Sequence, residues 1–276
     1  MAWTSVEQVF ACAVFVPSAP LLVPELTGPD ADEADAVRDA TRHAFAAAAP
    51  AATTWVAIGA ADRPGSSDGA GRTCVTDVPT SGTFARFGVD VGVSLDPSRG
   101  APAGAPAPAE PMPLSEPMPL SMLIAAWLRE QAGVGALTPV VIDPEASTAE
   151  CARIGGEIAA ALDSRAEPIG LLVVGDGAFA LTQKSPGGGT REESVRLQHR
   201  IEAAIAAGDL DALAALDPDE CAAEGVGGRV AWQTAAAAVR ASARTDDPAG
   251  APALTASVEY ADAPFGVGYV VARWER

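Results

Sequence analysis

Apolar residues along this chain fall into two patterns. Residues 9–16, 53–59, 138–142 and Ile169–Val174 form short continuous apolar runs. They contain β-branched residues and are closed by Gly or Pro, as in strands covered on both faces of a parallel sheet. Between them the spacing changes to i, i+3, i+4, with stripes at Val37, Thr41, Ala44 and Phe45, at Leu123, Trp127 and Leu128, at Ile154, Ile158 and Leu162, and at Leu197, Ile201 and Ile205. Those are amphipathic helices. Strand, helix and strand in alternation predict right-handed parallel crossovers. The fold class is therefore α/β: a single domain with a central, mostly parallel sheet flanked by helices.

Punctuation supports that order. Asp30-Ala31-Asp32-Glu33 and Thr190-Arg191-Glu192-Glu193 have capping-box spacing, with acidic residues where the N-terminal helix dipole favours them, and Gly208 stops the helix that carries Leu197. A short helix is expected over 209–216, a longer one over 228–241, and closing strands over 255–260 and 267–274. His43 and His199 lie off the buried stripes, which makes both solvated helix residues. Residues 65–100 are rich in Gly and Ser, with one strand expected over 87–93. Residues 101–121 are Ala- and Pro-rich and repeat Glu-Pro-Met-Pro-Leu-Ser in tandem at 110–115 and 116–121. The whole of 65–121 reads as a variable surface insertion within one domain spanning 1–276.

Composition narrows the partners. A formal charge of −18, with no Lys/Arg cluster, repels a phosphate backbone, so nucleic acid is not expected. Mean hydropathy is +0.17, but it comes largely from alanine, and no apolar run approaches the ~18 residues a membrane span needs. The N-terminal segment has no basic region before its apolar run, so the expected location is cytoplasmic. Cys12, Cys74, Cys151 and Cys221 are far apart, without a C-x-x-C pair or a nearby histidine, and read as reduced thiols.

Candidate chemistry gathers where the strands end. The run Ile169–Val174 breaks into Gly175-Asp176-Gly177-Ala178-Phe179, the first strand ends at Pro17-Ser18-Ala19-Pro20, and the second enters Ala60-Ala61-Asp62-Arg63. In parallel sheets ligands sit at such C-terminal edges.

Several of these segments resemble one family, the LigB-like B subunits of class III extradiol ring-cleavage dioxygenases, Memo-like relatives included. The segments are Pro17 to Glu25 against P-H-P-P-hydrophobic-P-E, Gly175-Asp176 with Leu181-Thr182 against G-D-x-S-H-x-L, Gly208-Asp209-Leu210-Asp211 with Leu216-Asp217-Pro218, and Pro264-Phe265-Gly266-Val267-Gly268-Tyr269. The resemblance spans most of the chain outside 65–121. It implies a mononuclear Fe(II) site of two histidines and one carboxylate, with a further histidine as acid/base. This sequence departs from that pattern. Ser18 stands at the first histidine, only Ala60, Ala61 and Asp62 are available at the second, and Phe179 replaces the acid/base group. Glu224 is the heir to the carboxylate, ahead of Glu220. The resemblance thus implies the fold, a degenerate metal site and no Fe(II) cofactor: a pseudoenzyme that binds a small molecule or a protein partner, its oligomeric state open and a homodimer among the options.

Two further readings stay open on the residues alone. Asp62, Asp176 and Glu224 would converge at the sheet edge and hold a hard cation such as Mg²⁺ or Mn²⁺, in a divergent oxidoreductase or hydrolase. The ordinary alternative has Asp176 capping local N–H groups, Asp62 pairing with Arg63, and Glu224 as a helix-end charge. Lys184, Gly188, Gly189 and Thr190 would bind a carboxylate or phosphate at a helix N-terminus, against the plainer reading of a surface connection before a capped helix.

Overall fold

The computed structural model describes residues 10–27, 32–64, 74–99, 117–163, 167–185, 188–242 and 254–276. In chain order the elements are β1 (Phe10–Val16), α1 (Asp32–Ala48), β2 (Thr54–Ala60), β3 (Cys74–Val75), β4 (Ser81–Thr83), β5 (Gly92–Ser94), α2 (Leu120–Ala132), β6 (Leu137–Ile142), α3 (Thr148–Asp163) and β7 (Ile169–Val174). They continue with α4 (Glu192–Ala207), α5 (Leu210–Ala214), α6 (Pro218–Ala223), α7 (Arg229–Ala241), β8 (Thr255–Asp262) and β9 (Tyr269–Glu275).

The four apolar runs form the parallel centre of one seven-stranded sheet of order β3-β6-β2-β7-β1-β9-β8. β3, β9 and β8 join it antiparallel. Because side chains alternate along a strand, each central strand feeds two cores. Phe15, Ile58, Val140, Leu171 and Val173 meet α3, α4 and α7 on one face, while Val14, Val16, Trp55, Leu172 and Val174 meet α1 and α2 on the other. Phe45 of α1 sets its ring edge-on to Trp55 at 4.8 Å, and Trp274 of β9 packs on Phe15 at 4.4 Å while its indole N–H donates to the Ile205 carbonyl at 2.8 Å. Trp274 thereby satisfies its buried donor, whereas the buried indole N–H of Trp55 has no partner among the described residues.

The helix stripes hold. Val37, Ala44, Phe45, Leu197, Ile201 and Ile205 are all fully buried, and Gly208 closes α4 at φ +63. Three expectations are corrected. Residues 87–93 are not a strand: the Thr83 hydroxyl accepts from Ala85 N–H and starts a 3-10 turn over Phe84–Phe87, Gly88 reverses the chain at φ +108, and only Gly92–Ser94 pairs, with Ser81–Thr83. The capping box at Thr190 is not used. Arg191 N–H donates to the Ala180 carbonyl at 2.9 Å, which holds residue 191 extended and delays α4 to Glu192. The segment 65–121 is more than a surface insertion, since Phe84, Val93, Leu95 and Met118 are core side chains; residues 65–73 and 100–116, including the first Glu-Pro-Met-Pro-Leu-Ser copy, lie outside the described residues.

The α3–α7 seam offers a check with opposite signs at neighbouring positions. A Cβ on Gly155 would stand 2.5 Å from the Thr234 carbonyl and 2.8 Å from Ala238 N, both backbone atoms that cannot step aside, whereas Gly156 faces open space. Gly155→Ala is expected to destabilise by about 1–3 kcal/mol through forced helix separation, and Gly156→Ala to stabilise by about 0.5–1 kcal/mol through helix propensity. Urea unfolding of both variants measures the difference; equal effects would mean the two helices do not pack at Gly155.

Candidate functional site

β1 and β7 are neighbours whose chains leave in opposite directions, β1 toward the α1 face and β7 toward the α4 face. Parallel sheets place their ligand crevice at the C-terminal ends of two strands that diverge in this way. The loop after β7 is fastened on every side. Gly175 N–H donates to the Val16 carbonyl at 2.9 Å, Gly177 N–H to Gly268 at 2.8 Å, Gly228 N–H to Asp176 at 2.8 Å, and Gly268 N–H to Ala178 at 2.8 Å. Ala178 N–H reaches the buried Gln198 side chain at 3.0 Å. Glycines permit these approaches: a Cβ on Gly175 would lie 2.4 Å from Gly228 Cα, and one on Gly177 2.0 Å from Gln198 Oε1.

Ser18 and Asp176 meet across the crevice. Ser18 N–H donates to Asp176 Oδ1 at 2.7 Å, joining loops 158 residues apart. Asp176 therefore caps a distant backbone rather than a local one. Ala61 is fixed by its N–H to the Ile142 carbonyl at 2.8 Å. Asp62 accepts from the Leu120 N–H at 2.9 Å, capping α2, and pairs with Arg86 at 2.7 Å.

Phe179 and Glu224 sit together on the α4 side. Phe179 N–H donates to the Glu224 carbonyl at 3.2 Å. Its ring lies over Gly225, where a Cβ would come within 2.1 Å of it. Glu224 is not a solvated helix-end charge: at the C-terminus of α6 it is only 3% exposed. Its Oε1 accepts from Arg191 at 2.6 Å and its Oε2 from the Ser194 hydroxyl. Among the described residues no three His, Cys, Asp or Glu side chains are grouped to hold a metal, so Asp62, Asp176 and Glu224 do not form the oxygen-ligand site. A two-histidine, one-carboxylate iron site does not fit either, because Ser18, Ala61 and Phe179 offer no imidazole and both Glu224 oxygens are engaged.

The anion reading also loses its basis. Lys184 is paired with Glu33 at 2.8 Å, Gly188 and Gly189 precede the helix by several residues, and Glu192 and Glu193 occupy the first turn of α4 where an anion would have to bind. His43 is exposed, as expected, though it contacts Glu259 at 2.7 Å, and His199 is exposed as well.

The structure adds a residue that sequence reasoning passed over. Tyr269 opens β9 and is 4% exposed. Continuing the β1–β9 register from Phe15 opposite Ala272 brings it level with Ser18, and the preceding Gly268 is bonded to the Asp176 loop. Burial pushes its phenol well above the ordinary range, and the charges of Asp176 and Tyr260 push it further. Burial likewise raises Asp176 to about 7, the Ser18 N–H working in the opposite direction. The one signal in the sequence was the position of Tyr269 at the end of the Pro264 to Tyr269 segment.

No family model and no curated protein matches this sequence. Among solved structures, an uncharacterized protein JW3007 from Escherichia coli K12 is similar over 96% of this chain and 100% of that chain, with 12% identity and a TM-score of 0.45.

Asp176 should titrate near neutrality in the folded protein, visible by ¹³C NMR of its carboxyl. Its folded value lies above the ordinary 3.8, so the stability associated with its proton is present below about pH 4 and lost as pH rises through 7. Asp176→Asn keeps an acceptor for Ser18 N–H and removes that dependence, so the variant should gain on the wild type in urea midpoint between pH 4 and pH 8. A carboxyl that titrates in the usual acidic range would overturn the assignment.

Proposed function

We propose that this chain is a LigB-like protein that has lost the Fe(II) site and ring-cleavage activity, and that it binds a small molecule in the crevice between the ends of β1 and β7. The observation that carries the reading is the state of the inherited positions. Ser18 presents a backbone N–H, Phe179 lies on Gly225, and the one remaining carboxylate, Glu224, is closed by Arg191 and Ser194. A labile divalent iron needs nitrogen donors to compete with water, and proton transfer in the ring-cleavage reaction needs a titratable group where Phe179 stands.

What supports a binding role is the rigidity of the surroundings. The crevice walls are held by backbone hydrogen bonds and close glycine contacts, and preorganisation of this kind lowers the entropic cost of binding. No described helix is long and apolar enough to cross a membrane. A protein partner at the same crevice is the competing outcome, and no observation favours it over a small ligand.

Anaerobic reconstitution with Fe(II), metal analysis after desalting, and oxygen uptake on protocatechuate test the loss of activity together. The expected result is iron well below one equivalent and no catechol-dependent uptake. About one equivalent of retained iron with catechol-dependent uptake would make this a working extradiol dioxygenase with a different ligand set.

A further inference from the structure

We propose that a cavity of about 230 Å³ between α3 and the first halves of β2 and β6 is a second ligand site, and that it takes a small uncharged ring compound. The site is separate from the β1/β7 ends. Those lie where the parallel strands finish, whereas Thr54, Val56, Thr138 and Val140 line the cavity where β2 and β6 begin.

Side-chain size makes the space. Alternate residues of a strand share a face, so Thr54 and Val56 of β2 and Thr138 and Val140 of β6 point toward α3, with Val56 opposite Thr138 in the parallel register. The one bulky neighbour, Trp55, faces the other way into the α1/α2 core. What meets beneath α3 is therefore short: valine and threonine from the sheet, with Ile154, Ile158 and Ala161 from the helix. The helix is not free to settle into the gap. It is seated on α7 at Gly155, where a Cβ would stand 2.5 Å from the Thr234 carbonyl. At the sheet edge β3 pairs with only Val141 and Ile142 of β6, so no described strand closes the space beside Thr138 and Val140.

The lining sets the class of ligand. Its floor is Val56, Val140, Ile154 and Ile158, none more than 8% exposed. Its mouth carries the Thr76 and Thr138 hydroxyls, the half-buried Cys74 thiol and the exposed Glu157. An apolar body with a few polar groups at its edge is how small-molecule sites are built. No described Lys, Arg or His lines the cavity, and Arg153, one turn before Glu157 on α3, is held by that carboxylate at 2.6 Å. An anion would thus meet Glu157 at the entrance and no cation within. An ammonium would lose its hydration against the apolar floor without a buried partner. Burial and the Glu157 charge raise the Cys74 thiol, which keeps it uncharged at neutral pH and makes it one more packing surface. Volume sets the size. An apolar cavity of about 150 Å³ holds one benzene, so about 230 Å³ suits two fused rings, with threonine hydroxyls at the mouth to meet a single polar group.

Indole is the probe, with indole-2-carboxylate as its anionic counterpart. Calorimetry gives the affinities, and the rate at which iodoacetamide alkylates Cys74, followed by mass spectrometry, gives the location. Cys12, Cys151 and Cys221 are buried and serve as slow internal references. Indole should bind about tenfold more tightly than the carboxylate and, at saturation, slow the alkylation of Cys74 several-fold while leaving the other three cysteines unchanged. Val140→Phe fills the cavity from its floor and should weaken indole about tenfold. Cys74→Leu fills it from the edge strand, should have the same effect, and decides the matter if Val140→Phe does not fold. Equal or tighter binding of the carboxylate overturns the uncharged class. Indole that binds without protecting Cys74, or that keeps its affinity in the filled variants, occupies another place and overturns the site. Absence of indole binding to the folded wild type overturns the proposal outright, and none of these results bears on the β1/β7 ends.

Discussion

The constraint on which this molecule depends is the need to satisfy the backbone of residues 175–181 inside the protein. A buried N–H or carbonyl without a partner costs about 1–3 kcal/mol, and this loop runs from the most buried strand of the sheet through the interior. Its partners come from Val16, Arg191, Gln198, Glu224, Gly228, Gly266 and Gly268. One loop thereby fixes the end of β1, the face of α4, the start of α7 and the β8–β9 turn. Each approach is close enough that a Cβ at Gly175, Gly177, Gly225, Gly266 or Gly268 would collide with the partner segment. The ends of β1 and β7 are consequently fixed by backbone geometry before any side chain is considered.

On that frame the side chains have resolved into two unlike halves. The α4 side is self-contained: Glu224 is paired with Arg191 and accepts from the Ser194 hydroxyl, and Phe179 covers Gly225. A buried carboxylate held by a guanidinium and a hydroxyl is a closed structural unit, and removing the guanidinium would strand its charge. The α1 side has no such counter-charge among the described residues. Among them the Asp176 carboxylate accepts only the Ser18 N–H, and the buried Tyr269 stands level with Ser18 in the β1–β9 register. Burial without a counter-charge is what raises Asp176 toward neutrality. Perturbed groups of this kind cluster at functional sites, and here the perturbed group stands at the ends of the two diverging strands.

The architecture was legible in the chain because period and length carry it. Continuous apolar runs of six or seven residues become doubly covered parallel strands, and the i, i+4 stripes at Leu197, Ile201 and Ile205 become a buried face. Local signals misled where a distant bond competed with them. Thr190 carries capping-box spacing, but the bond from Arg191 to the Ala180 carbonyl holds the chain extended past it. Residues 87–93 look like a strand, yet Thr83 and Gly88 impose a turn. Asp62 stands beside Arg63 in sequence and receives Arg86 and the Leu120 N–H in space.

By itself the sequence determined that the chain forms an α/β sheet with its loops gathered at one edge, that imidazole is missing from that edge, and that the surface is strongly acidic. These follow from residue type and spacing, which are local. Only the tertiary structure decided that Ser18 and Asp176 are bonded across 158 residues, that Glu224 is buried and occupied, that among the described residues the three carboxylates are not grouped, and that Tyr269 is buried level with Ser18. The reason is physical. The state of an ionisable side chain depends on the dielectric around it and on which donors lie within about 3 Å, and in this fold those donors come from segments whose order in the chain carries no trace of their proximity.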